Sequence, residues 1–190
     1  FHSIAEVAQV RAGETVLVTG AGGGLGMHAI QLVRLFGARA IGWTRSESKR
    51  AAIERVGIDH LICGAGEQTP VWKQLLELTE GRGVDVVIDN VGSAVFYDAF
   101  RGLAKLGRYV MLGELEGKEI HINPVFIFGK GAKIIGSLSH RLDELRKVLE
   151  FIRAGKVKPV IGGVFPLDEI NKVHALLDEG AITGRAVMAL

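Results

Sequence analysis

The sequence predicts an α/β fold: a doubly wound, six-stranded parallel sheet with helices between the strands. Three observations predict it. A strand, a glycine turn, a helix and a second strand follow one another between Thr15 and Ser46. Strand-length apolar runs then recur down the chain, separated by stretches with helical spacing. Val84-Asp85-Val86-Val87-Ile88-Asp89 is almost continuously apolar, as a central strand covered on both faces must be.

Taken in order, Phe1 to Val10 reads as the end of a lead-in helix, with Ile4, Val7 and Ala8 on one face, and Arg11 to Glu14 as a turn. Val16 to Thr19 is a short buried strand. The next helix carries Leu25, Ala29, Leu32, Val33 and Phe36 as one apolar stripe, and Gly37 ends it. Ala38 to Trp43 is the second strand, parallel to the first because the helix between them makes a right-handed crossover. Glu47 to Val56 is a helix stopped by Gly57, and Asp59 to Cys63 is a third strand. A helix from Thr69 to Thr79 has Pro70 at its start. After the fourth strand, Asn90-Val91-Gly92-Ser93 turns into a helix over Ala94 to Leu106 with Val95, Ala99 and Leu103 on one side. Gly107 to Leu112 is the fifth strand. Glu114 to Asn123 is a loop with a short strand expected at Glu119 to Ile122, Pro124 to Phe128 one helical turn, and Ala132 to Leu138 the sixth strand. Arg141 to Ala154 is a charged amphipathic helix, Lys158 to Ile161 and Val164 to Pro166 are extended, Asp168 to Leu177 is a helix, and Gly184 to Leu190 a last strand. Residues 1–155 thus form the sheet unit, and 156–190 a tail expected to pack back on a domain outside this chain.

The glycine turn, Gly20-Ala21-Gly22-Gly23-Gly24-Leu25-Gly26, makes the chemistry. A helix start has free N–H groups and a partial positive charge, both suited to a pyrophosphate. The frame is Ala21-x-Gly23-x-x-Gly26, with alanine in the first glycine position. A lone glycine fingerprint is weak, but this one lies between a predicted strand and helix, the context the motif needs. The plain alternative is a structural glycine turn. A Walker-type phosphate loop is excluded because no Gly-Lys-Ser/Thr follows. Gly23, Gly24 and Leu25 are therefore expected to present backbone to a dinucleotide pyrophosphate.

An NAD site usually ends its second strand in Asp or Glu, which binds the ribose 2′-OH. Here Thr44 occupies that position, and Arg45, Ser46 and Lys49 follow, groups suited to a 2′-phosphate. NADP(H) is therefore favoured over NAD(H), with Glu47 the one residue nearby that opposes it. Ligands of open parallel sheets bind beyond the carboxyl ends of the strands. That rule nominates Asn90, Val91, Leu112, Gly113, Ser137 and Leu138 for the nicotinamide half.

With 190 residues, 48% hydrophobic and 23% charged, the chain suits one domain with a proper core. Net charge is +2 and the basic residues are scattered, so nucleic acid is not suggested. The single cysteine, Cys63, excludes an internal disulfide and favours a reducing, cytoplasmic setting. Thr15 to Val33 is uncharged and long enough to span a membrane, but its five glycines and strand–turn–helix pattern argue against that. The chain opens at Phe1 rather than Met, which reads as an excised domain or fragment. Among the six histidines and one cysteine, His60-x-x-Cys63 is the only close pair, and strand alternation points its two ends to opposite faces. No metal ligand and no catalytic residue is assigned. His28 reads as packing or surface, and His140 as a capping or surface residue at the cleft rim. A short-chain dehydrogenase would need Tyr-x-x-x-Lys; Tyr97 is followed by Arg101 and Tyr109 by Gly113.

The stretch Val16 to Gly26 with His28-Ala29-Ile30-Gln31-Leu32 resembles the medium-chain dehydrogenase/reductase family. So do Val86-Val87-Ile88-Asp89-Asn90-Val91-Gly92, Gly107-Arg108-Tyr109-Val110-Met111-Leu112-Gly113, Gly155-Lys156-Val157-Lys158-Pro159-Val160 and Gly184-Arg185-Ala186-Val187. The resemblance covers the whole chain in order, and is similar in its details to the quinone oxidoreductase, enoyl reductase, acryloyl-CoA reductase and alcohol dehydrogenase branches. It implies a Rossmann cofactor domain, hydride transfer to or from a small-molecule carbonyl or activated alkene, and a GroES-like catalytic domain upstream. Zinc, where used, would be held by that domain, and this chain alone would bind cofactor without turnover. The resemblance also implies a homodimer through the edge strand, residues 132–138. A non-catalytic nucleotide sensor or structural protein, and an enoyl reductase domain cut from a larger synthase, remain the alternatives.

Overall fold

Strand β1 (Thr15–Thr19) runs through the middle of the sheet and is buried at every residue. In the computed structural model, which describes residues 1–64, 66, 68–138 and 141–190, it pairs in parallel with β2 (Arg39–Thr44) on one side and β4 (Val84–Asp89) on the other. With β3 (His60–Cys63), β5 (Leu103–Met111) and β6 (Lys133–Gly136) the order is β3-β2-β1-β4-β5-β6, all parallel, as expected. Strand order reverses between β1 and β4, so a crevice opens there beyond the strand ends.

Alternation along each strand sends successive side chains to opposite faces. Val16, Val18, Val86, Ile88 and Val110 pack on one face with Met27, Ile30 and Val33 of α1 (Gly24–Leu35). Leu17, Ile41, Val87 and Tyr109 pack on the other face, among Leu75 of α3 (Val71–Leu78) and Phe96 and Phe100 of α4 (Ser93–Arg101). Each such fully buried aliphatic or aromatic side chain contributes roughly 1.5–3 kcal/mol. Two cores on one sheet explain why these strands lack the polar alternation of a half-exposed sheet. A short helix α2 (Arg50–Arg55) links β2 to β3.

Several element boundaries differ from expectation, most of all around β5 and β6. The helix expected to reach Leu106 stops at Arg101, and the strand expected from Gly107 begins at Leu103. Leu103 pairs with Val84, an irregularity follows, and Arg108 pairs with Val86. Leu106 sits in this irregularity at φ 62°, a backbone setting no helix supplies. Leu103 keeps its helical distance from Ala99 but meets its burial as a strand residue. The short strand expected at Glu119 to Ile122 does not form. The edge strand expected over 132–138 spans Lys133–Gly136, and the single turn before it is a longer helix, α5 (Pro124–Lys130).

Beyond α6 (Leu142–Arg153), β7 (Ile161–Pro166) and β8 (Arg185–Ala189) form a separate two-stranded parallel sheet around α7 (Ile170–Asp178). Segment 156–190 therefore has a sheet of its own, yet Val157 is buried in the core beneath α1. Among the described residues no helix is long and apolar enough to cross a membrane.

Glu114 ties the β4–α4 turn to the chain leaving β5. Its carboxylate accepts the Ser93 N–H at 2.7 Å, the Ser93 hydroxyl at 2.8 Å, and the Glu116 and Gly117 N–H groups at 2.9 and 3.1 Å. These bonds, that of the Ser93 hydroxyl first, hold it at about 2 against an ordinary 4.5. The folded value lies below the unfolded one, so the stabilisation is complete above the ordinary value and is lost as pH falls through the folded one. Urea unfolding is expected to show stability falling between pH 4.5 and 2, with a shallower fall in Glu114→Gln.

Candidate functional site

The turn between β1 and α1 is built by close approach. Gly20 takes φ 59°, and the Gly23 N–H donates back to its carbonyl at 2.9 Å. A Cβ on Gly26 would lie 2.8 Å from Ala21 Cα and 2.9 Å from its carbonyl carbon, so only glycine lets α1 meet the strand end here. Ala21 is fully buried without a positive φ, which is why alanine serves in the first position of the motif. No side-chain bond caps α1 at Gly23. The first-turn N–H groups, at the positive end of a 12-residue helix, therefore face the crevice without a side-chain acceptor at the cap.

At the end of β2, Thr44 is buried and accepts the Ser46 N–H at 3.3 Å. Arg45 is exposed. The Ser46 and Ser48 hydroxyls bond to each other at 2.7 Å. Glu47 is paired with Arg50, which holds its carboxyl below the ordinary value. Lys49 lays its stem against Gly22 and donates to the Ile182 carbonyl at 2.8 Å; burial lowers its pKa.

The end of β4 holds a buried carboxylate with neutral partners. Asp89 Oδ1 accepts the Thr19 hydroxyl at 2.6 Å and the Val91 and Gly92 N–H groups at 3.0 and 3.1 Å. Asp89 Oδ2 accepts the Tyr109 hydroxyl at 2.8 Å. Burial first, then the Asp89 charge, pushes the Tyr109 phenol far up, so it stays a donor. Thr19 Oγ1 in turn accepts the Asn90 N–H at 2.9 Å, and the Asn90 amide donates to the Thr19 carbonyl at 2.9 Å. Asn90 Oδ1 is buried without a partner among the described residues, an acceptor left over beside the crevice. Gly113 passes so close that a Cβ would lie 2.9 Å from the Asn90 carbonyl.

Leu25, Leu112, Ser137 and Leu138 line one cavity of about 370 Å³, beyond the ends of β5 and β6 and beside the start of α1. The Ser3 and Ser137 hydroxyls bond at 2.8 Å in its wall, and His2 Nδ1 lies 2.9 Å from a buried Glu144. The Arg141 N–H and then His2 hold the Glu144 carboxyl below its ordinary value.

Residues 24–154 match the family described as zinc-binding dehydrogenase. The chain belongs to that family. It is 32% identical over 189 residues to an acryloyl-coenzyme A reductase of Sulfurisphaera tokodaii, covering 99% of this chain and 54% of that protein. It is 36% identical over 177 residues to an NAD-dependent alcohol dehydrogenase of Saccharolobus solfataricus, covering 92% and 50%. Its fold superposes with a TM-score of 0.90 on the crystal structure of an alcohol dehydrogenase from Aeropyrum pernix, at 33% identity, covering all of this chain and 54% of the other. The chain spans about half the length of these relatives.

The zinc in the family's description does not fit this half. Among the described residues no three His, Cys, Asp or Glu side chains converge to hold a metal. His60 is exposed, and burial pushes the Cys63 thiol up to about 11, away from a ready thiolate. His140 lies outside the described residues, and His28 is a bonded residue of α1 rather than a surface one.

The structure thus divides the nominated residues into a glycine-turn group, a β2-end group, a β4-end turn and a cavity wall. Sequence reasoning missed Ser3, Asp89, Tyr109 and Arg185. The Arg185 Nε lies 3.2 Å from where a Cβ on Gly24 would be, which places a guanidinium at the α1 start. No local pattern signals that contact, because its two partners lie at opposite ends of the chain. Tyr109→Phe leaves Asp89 Oδ2 buried without its donor and is expected to cost about 1.5–3 kcal/mol in urea unfolding, the range for a bond to a charged group.

Proposed function

We propose that this chain is the dinucleotide-binding half of an oxidoreductase that transfers hydride between a nicotinamide and a carbonyl or activated alkene of a small molecule. One observation carries the reading. At the reversal of strand order, an uncapped helix start meets a strand end through Gly26, with room only for backbone. That arrangement suits a pyrophosphate. When bound, the dinucleotide supplies the hydride chemistry; the protein binds, orients and excludes water.

The Gly23 N–H is already given to the Gly20 carbonyl, so Gly23 serves by letting the backbone approach, and Gly24 and Leu25 at the start of α1 face the pyrophosphate, with Arg185 beside them as counter-charge. Asn90 and Val91, held by the Asp89 network, and Gly113 shape the middle of the crevice. Leu25, Leu112, Ser137 and Leu138 surround the nicotinamide, where apolar walls keep water from the transferring hydride. Substrate binding, any zinc and turnover belong to a GroES-like domain in the part of the protein outside this chain, against which part of segment 156–190 packs. The exposed Ile161 and Val164 of β7 suit such a cover.

NADP(H) is the favoured dinucleotide. The position of the usual acid is Thr44, the nearby Glu47 is engaged by Arg50, and Arg45 and Ser46 are accessible. The name of the alcohol dehydrogenase relative weighs toward NAD. Lys49 joins the phosphate group only by leaving the Ile182 carbonyl; otherwise it contributes charge alone. The half-buried, protonated Cys63 suits a reducing, cytoplasmic setting.

The chain also pairs with a second copy along β6. That strand leaves its outer edge open, and Phe126, Phe128 and Ile134 stand exposed on and beside it. An apolar open edge invites another strand.

Titration of the full-length protein is expected to show NADPH binding more tightly than NADH. Arg45→Ala should weaken NADPH about tenfold, the scale of one charge-assisted bond, and leave NADH unchanged. Equal or tighter NADH binding overturns the choice of dinucleotide, and binding of neither overturns the function. Sedimentation velocity is expected to show a dimer that Ile134→Lys converts to monomer; an unchanged dimer would move the interface elsewhere.

A further inference from the structure

Helix α1 holds the C-terminal segment with side chains that imitate a strand. Gln31 Nε2 donates to the Lys158 carbonyl at 2.9 Å, and Gln31 Oε1 accepts the Lys158 N–H at 2.7 Å. One side chain thus satisfies both backbone groups of a residue 127 positions away. His28, three residues earlier on the same helix, lies 2.5 Å through Nδ1 from the Gly24 carbonyl and 3.3 Å through Nε2 from the Val160 nitrogen. A carbonyl only accepts and a backbone N–H only donates. A single tautomer of the imidazole, donating through Nδ1 and accepting through Nε2, serves both contacts.

The held segment leads directly to Arg185. The Val160 carbonyl accepts the Arg185 N–H at 2.9 Å, and the Gly184 N–H donates to the Gly22 carbonyl at 3.0 Å. Gly23 and Gly184 form a parallel bridge. A Cβ on Gly184 would lie 2.6 Å from the Val160 carbonyl oxygen, so the three strands of backbone meet without side chains between them. Arg185 is therefore set from two sides, by the glycine turn and by the segment that Gln31 and His28 fix.

Packing alone does not set this register. Val157 anchors the segment at 2% exposure, but apolar burial is non-directional and permits sliding along the helix. A side-chain amide that offers donor and acceptor together fixes position along the helix as well as contact. Glutamate could not donate to the Lys158 carbonyl, and leucine could do neither.

We propose that Gln31 and His28 are positioning residues for dinucleotide binding: they hold Lys158–Val160 so that the Arg185 guanidinium stands at the start of α1, where the pyrophosphate lies. The inference rests on the function proposed above. Its discriminating property is that Gln31 acts through Arg185, so the two substitutions must not add.

The test is titration of the full-length protein with NADPH, read by ligand fluorescence, and with adenosine 2′-monophosphate, which has no pyrophosphate, read by calorimetry. Gln31→Leu is expected to weaken NADPH about tenfold, within the net value of one such bond, and to leave adenosine 2′-monophosphate unchanged. Gln31→Glu, which keeps the Lys158 N–H bond, should fall between, and serves if the leucine variant does not fold. Arg185→Ala with and without Gln31→Leu should bind NADPH equally. Additive losses, wild-type affinity in Gln31→Leu, or an equal loss for adenosine 2′-monophosphate would overturn the inference. A wild-type protein that binds no dinucleotide overturns the functional reading instead, and the inference with it.

Discussion

Gly26 leaves no space between α1 and β1, and the arrangement of the site follows from that contact. A Cβ there would lie 2.8 Å from Ala21 Cα, so any other residue must push the helix off the strand. The contact brings the positive end of α1 to the point where strand order reverses. It also leaves that end without a side-chain cap, a feature normally worth about 1 kcal/mol to a helix. The fold tolerates the loss because β1 beneath it is fully buried: Val16, Leu17 and Val18 are each 0% exposed. Stability is concentrated in the strand, and the helix start without a side-chain cap lies just across the glycine turn from it.

The Asp89 network applies the same division to charge. A carboxylate at 0% exposure needs compensation, and here four neutral donors supply it in place of a cation. Three of those bonds reach the Asn90–Gly92 turn or the Thr19 hydroxyl that supports it, so the charge orders the crevice wall without neutralising it. Burial keeps the Tyr109 phenol protonated, and the donor pattern is therefore insensitive to pH near neutrality. Asn90 Oδ1, the buried side-chain acceptor without a partner there among the described residues, is on a residue that Thr19 holds by two bonds.

Local pattern made β1, α1 and β4 legible, because each carries its own period and its own stop signal. The α4–β5 boundary was illegible for a physical reason. Val95, Ala99 and Leu103 keep helical spacing, and Leu103 is buried as that spacing requires, but its neighbours belong to β4. The reversal at Leu106 depends on pairing across the sheet and leaves no trace in local sequence. The nominated site residues were legible through topology, since ligand sites of such sheets lie at strand ends, and four of them do line one cavity. Gln31, Ser3 and Arg185 were not. Each acts through a partner more than a hundred residues away, and nothing in their immediate neighbours distinguishes them from solvated polar groups.

The two ends of the crevice are held by different physics, and this separates what the fold dictates from what the surface can change. At the start of α1, Gly26 is confined by the backbone of Gly20 and Ala21 and Gly184 by Val160, so the geometry cannot drift without unfolding the turn. At the end of β2, Arg45 is exposed and the Ser46 side chain bonds to Ser48. Charges so placed are worth little to folding, because solvent and salt screen them. Substitution there costs the fold almost nothing, yet the 2′-phosphate of the proposed dinucleotide would respond to each residue. On the function proposed above, binding a dinucleotide would be a property of the buried frame, whereas the choice between two dinucleotides would rest on a few exposed side chains. The same sheet can exchange that choice without altering its core.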